Sequence, residues 1–144
     1  GMYSASKHAV KGFTDALRVE VQEMDQAPIS ITLIQPTAVN TPYPQHAKNY
    51  MNKEPKLPTP QIDPVEVANA ILDAATSITH HIKVGMMSKL NTTMQNLMPT
   101  LAEKMSAKQA NRQHYDEAPR KPAGTLYQAS DDGHIHGSGG IVTH

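Results

Sequence analysis

The sequence predicts an open α/β fold with parallel strands. Three observations point to it: an amphipathic helical pattern over residues 3–25, a β-branched run at Ile29–Pro36, and a capped helix followed by a second short strand that ends at Gly85. A strand–helix–strand succession calls for a right-handed crossover and parallel pairing.

At about 100° per residue, Ala9, Val10, Phe13, Ala16, Leu17 and Met24 fall in one arc of the first helix, and Val21 extends it. Lys11, Asp15, Arg18 and Gln22 lie mostly outside that arc. The apolar face is therefore expected to pack into a core or onto a partner helix, with Ala5 and Ala9 allowing close approach. Ala27-Pro28 ends the helix.

In the following run, Ile29, Ile31 and Leu33 alternate with Ser30 and Thr32, and Ile34 breaks the alternation. The pattern predicts a buried strand from Ile29 to Pro36. Pro42, Pro44, Pro55, Pro58 and Pro60 then remove any periodicity from residues 37–62. That segment reads as a long loop of the kind used for lids and binding, with room for a short helix over residues 45–51.

Asp63 is placed to cap the next helix, with Pro64 in the first turn and Glu66 completing a capping box. Its expected buried stripe is Val67, Ala70, Ile71 and Ala74. The run from His80 to Met86 gives the second strand. A looser helical pattern over residues 88–114 is interrupted by Pro99, which predicts two helices or a kink. From Glu117 the chain is polar and rich in glycine and proline, and only Leu126 and Tyr127 look able to dock. The expected organisation is a domain over residues 1–115 and a flexible tail over 116–144. Two strands do not make an independently stable parallel sheet. The chain is therefore expected to be the C-terminal part of a larger domain, cut ahead of its first helix.

Composition narrows the function classes. The 144 residues carry 13 basic and 13 acidic side chains, so the formal net charge is zero. That balance gives no electrostatic footprint for nucleic acid or an anionic membrane, and neither is expected as a partner. The absence of cysteine excludes a disulfide framework, a thiolate nucleophile and a thiolate metal site. No apolar run approaches the ~20 residues that span a bilayer.

Tyr3 and Lys7 stand at i, i+4 at the start of the first helix, so their side chains lie one above the other. A phenol with a pKa near 10 is ionised in roughly one molecule in a thousand at neutral pH. An ammonium beside a phenol favours the ionised form. Such a tyrosine can give a proton to a carbonyl oxygen and recover it from an alcohol. The same two-residue pattern, taken alone, is more often solvated helix surface.

Its surroundings carry more. Tyr3, Ala5, Ser6, Lys7, Ala9, Gly12, Leu17 and Glu20 follow the spacing Y-x-A-S-K-x-A-x-x-G-x-x-x-x-L-x-x-E, and Pro36, Val39 and Thr41 follow the next strand. In these two linked motifs, from Met2 to about Gly85, the chain resembles the short-chain dehydrogenase/reductase family. The departure is Thr37, which stands where the family has glycine.

The resemblance implies the C-terminal portion of a Rossmann-like doubly wound parallel sheet in an NAD- or NADP-dependent oxidoreductase. It would transfer hydride between the nicotinamide and a small carbonyl or alcohol substrate. Tyr3 is then the general acid/base, and Lys7 holds the nicotinamide ribose hydroxyls and favours ionised Tyr3. Pro36 shapes the turn beneath the ring, and Val39 and Thr41 hold the carboxamide. The loop from Asn40 to Gln61 covers the substrate. Thr37 puts in question how closely the backbone passes the cofactor. The family's glycine-rich phosphate turn and its catalytic serine have no counterpart in the sequence, so the chain alone is expected to be inactive.

A cytoplasmic homo-oligomer paired through the first helix is the expected setting. The alternative is a non-catalytic remnant or a dimerising regulatory subunit. His134 and His136 flank Ile135 in a Gly-rich stretch and make a weak metal pair, so no metal site is expected. Ser6 and His8 face apart on the helix, which argues against a hydrolytic dyad. Met94, Met98 and Met105 read as core or subunit contact, and Glu117, Arg120 and Lys121 as solvated linker.

Overall fold

A computed structural model describes residues 1–110, 113–130 and 133–137. Helix α1 spans Met2–Arg18 and runs on through Val19–Met24 as wider π-helical turns. Strand β1 follows at Leu33–Pro36, then the single turn α2 at Tyr43–His46 and helix α3 at Pro64–Thr76. Strand β2 is His81–Val84, and helices α4 (Met86–Leu97) and α5 (Pro99–Ala110) complete the order. Pro99 opens α5, so the break expected there is a junction between two helices.

β1 and β2 pair in parallel, with Leu33 opposite His81 and Pro36 opposite Val84, and α3 is the crossover between them. The capping box forms as the sequence requires. Asp63 Oδ1 accepts from the Val65 N–H at 2.8 Å, and the Asp63 N–H donates to Glu66 Oε1 at 3.2 Å. Replacing such a cap by alanine costs about 1 kcal/mol.

Two expectations need correction. The predicted strand at Ile29–Pro36 is shorter and only half-buried: Leu33–Pro36 pairs with β2, while Ile29 is exposed. Thr32 still reaches across, its hydroxyl donating to the Thr79 carbonyl at 2.6 Å. The second concerns the core alternative for α1 and leaves a partner helix open. Most of its apolar arc faces outward, with Val10 54% and Phe13 69% exposed, and Arg18 is the buried residue of the helix. Leu17 and Val21 are half-buried on that same inner side.

Arg18 turns inward because of what it binds. Its Nε donates to the Ile31 carbonyl at 3.0 Å, Nη2 to the His80 carbonyl at 3.1 Å, and Nη1 to Asp15 Oδ1 at 2.9 Å. One guanidinium thus ties α1 to the segments entering both strands. Asp15 also meets Lys11 at 2.5 Å and His81 Nε2 at 3.5 Å. Hydrogen bonds from Lys11 first, then Arg18, hold the Asp15 carboxyl below its ordinary value of 3.8.

The buried hydrophobic centre is small, with Ile62 and Val84 at its heart among the described residues. Gly85, which follows Val84 at the start of α4, has φ of +89°. A Cβ there would lie 2.6 Å from the Thr37 methyl and 3.2 Å from Ile62 Cγ2. Threonine at position 37 is thus accommodated by glycine at position 85.

The chain after α5 returns along the proline-rich loop. The Tyr115 N–H donates to the Glu54 carbonyl at 2.9 Å, and the Glu54 N–H to the Glu117 carbonyl at 3.0 Å. The Asn49 N–H donates to the Pro122 carbonyl at 3.0 Å, and the Thr125 N–H to the His46 carbonyl at 2.8 Å. Leu126 and Tyr127, expected to dock, are 79% and 90% exposed. The main chain around them makes the contact instead.

Gly85→Ala should destabilise the chain by about 1–3 kcal/mol, since it combines positive φ with a steric overlap. Adding Thr37→Gly should recover the steric part, as read by urea unfolding. Below pH 3.8 the stability contributed by the depressed Asp15 carboxyl is lost as pH falls through its folded pKa. Asp15→Asn should therefore melt below wild type at neutral pH and converge with it on acidification.

Candidate functional site

The site is assembled where the N-terminal end of α1 faces the backbone that leaves β1. The Thr37 N–H donates to the Val84 carbonyl at 3.0 Å, prolonging the β1–β2 ladder by one residue. The chain then pairs with residue 62. The Ile62 N–H donates to the Ala38 carbonyl at 2.9 Å, and the Asn40 N–H to the Ile62 carbonyl at 3.0 Å, so Val39 lies in a parallel bridge with Ile62. The Thr41 N–H folds back onto the Val39 carbonyl at 2.8 Å. Residues 36–41 are consequently held at fixed positions by main-chain bonds, although they belong mostly to a loop.

Tyr3 and Lys7 come to this backbone from the other side. The Lys7 ammonium lies over the Tyr3 ring, 5.4 Å from its centroid, as i, i+4 geometry allows. Both side chains are exposed along α1 and line a cleft of about 480 Å³ together with Pro36, Val39, Thr41 and Tyr43. All five residues singled out from the sequence thus border one space. A neighbouring cleft of about 560 Å³ shares Tyr3, Lys7, Val39 and Thr41 and extends to Val67 and Ile71 of α3. Ile71, read from the sequence as part of a buried stripe, is 53% exposed toward this opening.

Tyr43 is the wall residue that the sequence reading missed. No periodicity marks it, and its place follows from the single turn of α2. Ser6 and His8 are occupied elsewhere: the Ser6 hydroxyl donates to the Tyr3 carbonyl at 2.7 Å, and His8 Nδ1 meets the Ser4 carbonyl at 2.8 Å. His136 Nε2 lies 3.2 Å from Asp63 Oδ2. No group of three or more His, Asp or Glu among the described residues is arranged to hold a metal. No helix among them is long and apolar enough to cross a membrane.

The arrangement offers a phenol and an ammonium on one helical face, opposite a rigid strip of main chain with a hydroxyl at Thr41. Proton exchange at the phenol and hydrogen bonding to a planar amide and to sugar hydroxyls are the chemistries it can support.

Comparison with known proteins bears on the family. The family model described as short chain dehydrogenase matches residues 1–52. An uncharacterised oxidoreductase, YxnA of Bacillus subtilis (strain 168), is 34% identical over 139 residues, covering 94% of this chain and 39% of that protein. Dehydrogenase/reductase SDR family member 7C of Xenopus tropicalis is 46% identical over 39 residues, 27% of this chain and 12% of that protein. The chain thus spans well under half the length of the curated relatives it matches. No solved structure gives a significant match. The segment that carries Tyr3 and Lys7 is the one the family model covers, and these matches support a short-chain dehydrogenase/reductase character for it.

Proposed function

We propose that the chain carries the proton-relay and nicotinamide side of an NAD- or NADP-dependent oxidoreductase acting on a small carbonyl or alcohol. The observation that supports this most directly is the shared cleft of Tyr3, Lys7, Pro36, Val39 and Thr41. The relatives' descriptions as an oxidoreductase and a dehydrogenase/reductase point the same way.

The residues present suit a nicotinamide nucleoside. The main chain at Val39 and the Thr41 hydroxyl would hold the carboxamide, and Lys7 the ribose hydroxyls. Pro36 would bound the ring without offering a competing N–H. The Thr37 methyl lies beside Gly85, and Thr37 still borders the cleft. The nicotinamide, when bound, supplies or accepts the hydride. Tyr3 gives its phenolic proton to the carbonyl oxygen in reduction and takes it back in oxidation, with the Lys7 ammonium offsetting the charge left on the phenolate. Tyr43 would border the space beside the reacting oxygen.

We place residues 1–115 in the Rossmann-like part of such an enzyme and residues 116–144 in an appended segment, in the cytoplasm. The described residues contain no glycine-rich turn leading from a strand into a helix N-terminus, the usual receiver of a pyrophosphate. The 144-residue chain by itself is accordingly proposed to be inactive. The outward apolar face of α1, with Val10 and Phe13, is proposed to meet a second copy.

In an active enzyme carrying this segment, Tyr3→Phe should keep NADH or NADPH binding and lose more than tenfold in kcat/KM, over about 1.4 kcal/mol. Retention above a tenth would exclude Tyr3 as the acid. Lys7→Ala should weaken both binding and turnover. For the isolated chain, fluorescence titration with NADH should give no saturable signal up to millimolar cofactor. Phe13→Glu should shift the sedimentation coefficient to that of a monomer, and an unchanged oligomer would remove α1 as the contact.

A further inference from the structure

A further cavity lies between the proline-rich loop and the returning C-terminal segment. It encloses about 300 Å³, at the lower end of the range for small-molecule sites. One wall is apolar and rigid, made of Pro42, Pro44 and Pro55. Arg120 and Lys121 also line the cavity, together with His46, His134 and His136.

The cavity has a built frame. Glu54 is only 5% exposed, and its Oε2 accepts the Arg120 backbone N–H at 2.8 Å. The carboxylate is thereby engaged by the main chain, and the Arg120 side chain is directed by a fixed backbone. One guanidinium nitrogen, Nη2, donates to Glu117 Oε1 at 2.7 Å. A guanidinium has five N–H donors in a fork suited to carboxylate and phosphate. Gly124 lets the two segments meet: with φ of +66°, a Cβ there would lie 2.6 Å from the Lys48 nitrogen and 2.8 Å from the His46 carbonyl. The lining therefore carries two cations and one carboxylate beside three prolines, with Glu117 paired to Arg120.

We infer that this seam is a binding site for an amphiphilic anion, whose apolar body lies along the prolines and whose carboxylate or phosphate is held by Arg120 and Lys121. Neither Tyr3 nor Lys7 lines it, so it is distinct from the proposed proton relay, although Pro42 and Pro44 flank Tyr43 of the relay's cleft.

Isothermal titration calorimetry on the full 144-residue chain tests it with three probes of equal chain length: octanoate, octyl phosphate and octanol. Both anions, or one of them, should bind saturably and at least tenfold more tightly than octanol. Preference between octanoate and octyl phosphate identifies which anion the site serves. Arg120→Gln leaves the backbone bond to Glu54 in place and should weaken the anions about tenfold without changing octanol. Gly124→Ala should abolish anion binding while retaining Arg120, because it forces the segment off the loop. The imidazole C2–H resonances of His46 and His134 should move with the anion and saturate at the calorimetric Kd. Equal affinity for octanol, no saturable binding of either anion, or an unchanged affinity in Arg120→Gln would each overturn the proposal.

Discussion

The buried guanidinium of Arg18 sets the position of α1, and with it Tyr3 and Lys7, against the strands. A charge removed from water must be matched by partners, and Arg18 finds three: Asp15 on its own helix, the Ile31 carbonyl before β1 and the His80 carbonyl before β2. Both carbonyls precede paired strand residues, so the same side chain reads the register of the sheet and fixes the helix against it. Tyr3 lies fifteen residues away, or about 22 Å along the helix. At that distance a tilt of ~10° about Arg18 would carry the phenol ~4 Å from Val39 and Thr41, a displacement large on the scale of catalytic positioning.

Much of this was readable in the sequence. The capping box at Asp63 and Glu66 is local, depending on residues within one turn, and it forms as written. The parallel pairing of β1 with β2 follows from chain order alone. The association of Tyr3 and Lys7 with Pro36, Val39 and Thr41 came from linked motifs rather than from periodicity, and the geometry brings all five to one cleft.

What was hidden depended on pairs distant in the chain. A helical wheel assumes that the apolar arc faces the interior, but on α1 the inward anchor is an arginine seeking strand carbonyls. No hydropathy pattern encodes that preference. The fit of Thr37 against Gly85 likewise joins two residues that are unremarkable separately. The expected docking of Leu126 and Tyr127 rested on side-chain hydrophobicity, whereas the segment is attached by main-chain bonds from Tyr115 to Thr125. Main-chain bonds leave almost no trace in residue type, apart from a glycine where two backbones touch.

That mode of attachment bears on how the loop can diverge among descendants of this chain. The inner edge of residues 40–56 is secured by the pairing of Val39 with Ile62, and much of its outer edge by amides and carbonyls. Most exposed side chains between them, such as Lys48, Tyr50 and Met51, contribute little to the frame. Substitutions at such positions would repaint the surface while the scaffold stays in register. Length changes would be a different matter, because one added residue would put every later donor out of step with its acceptor. The loop is thus built to be evolvable in chemistry and conservative in length.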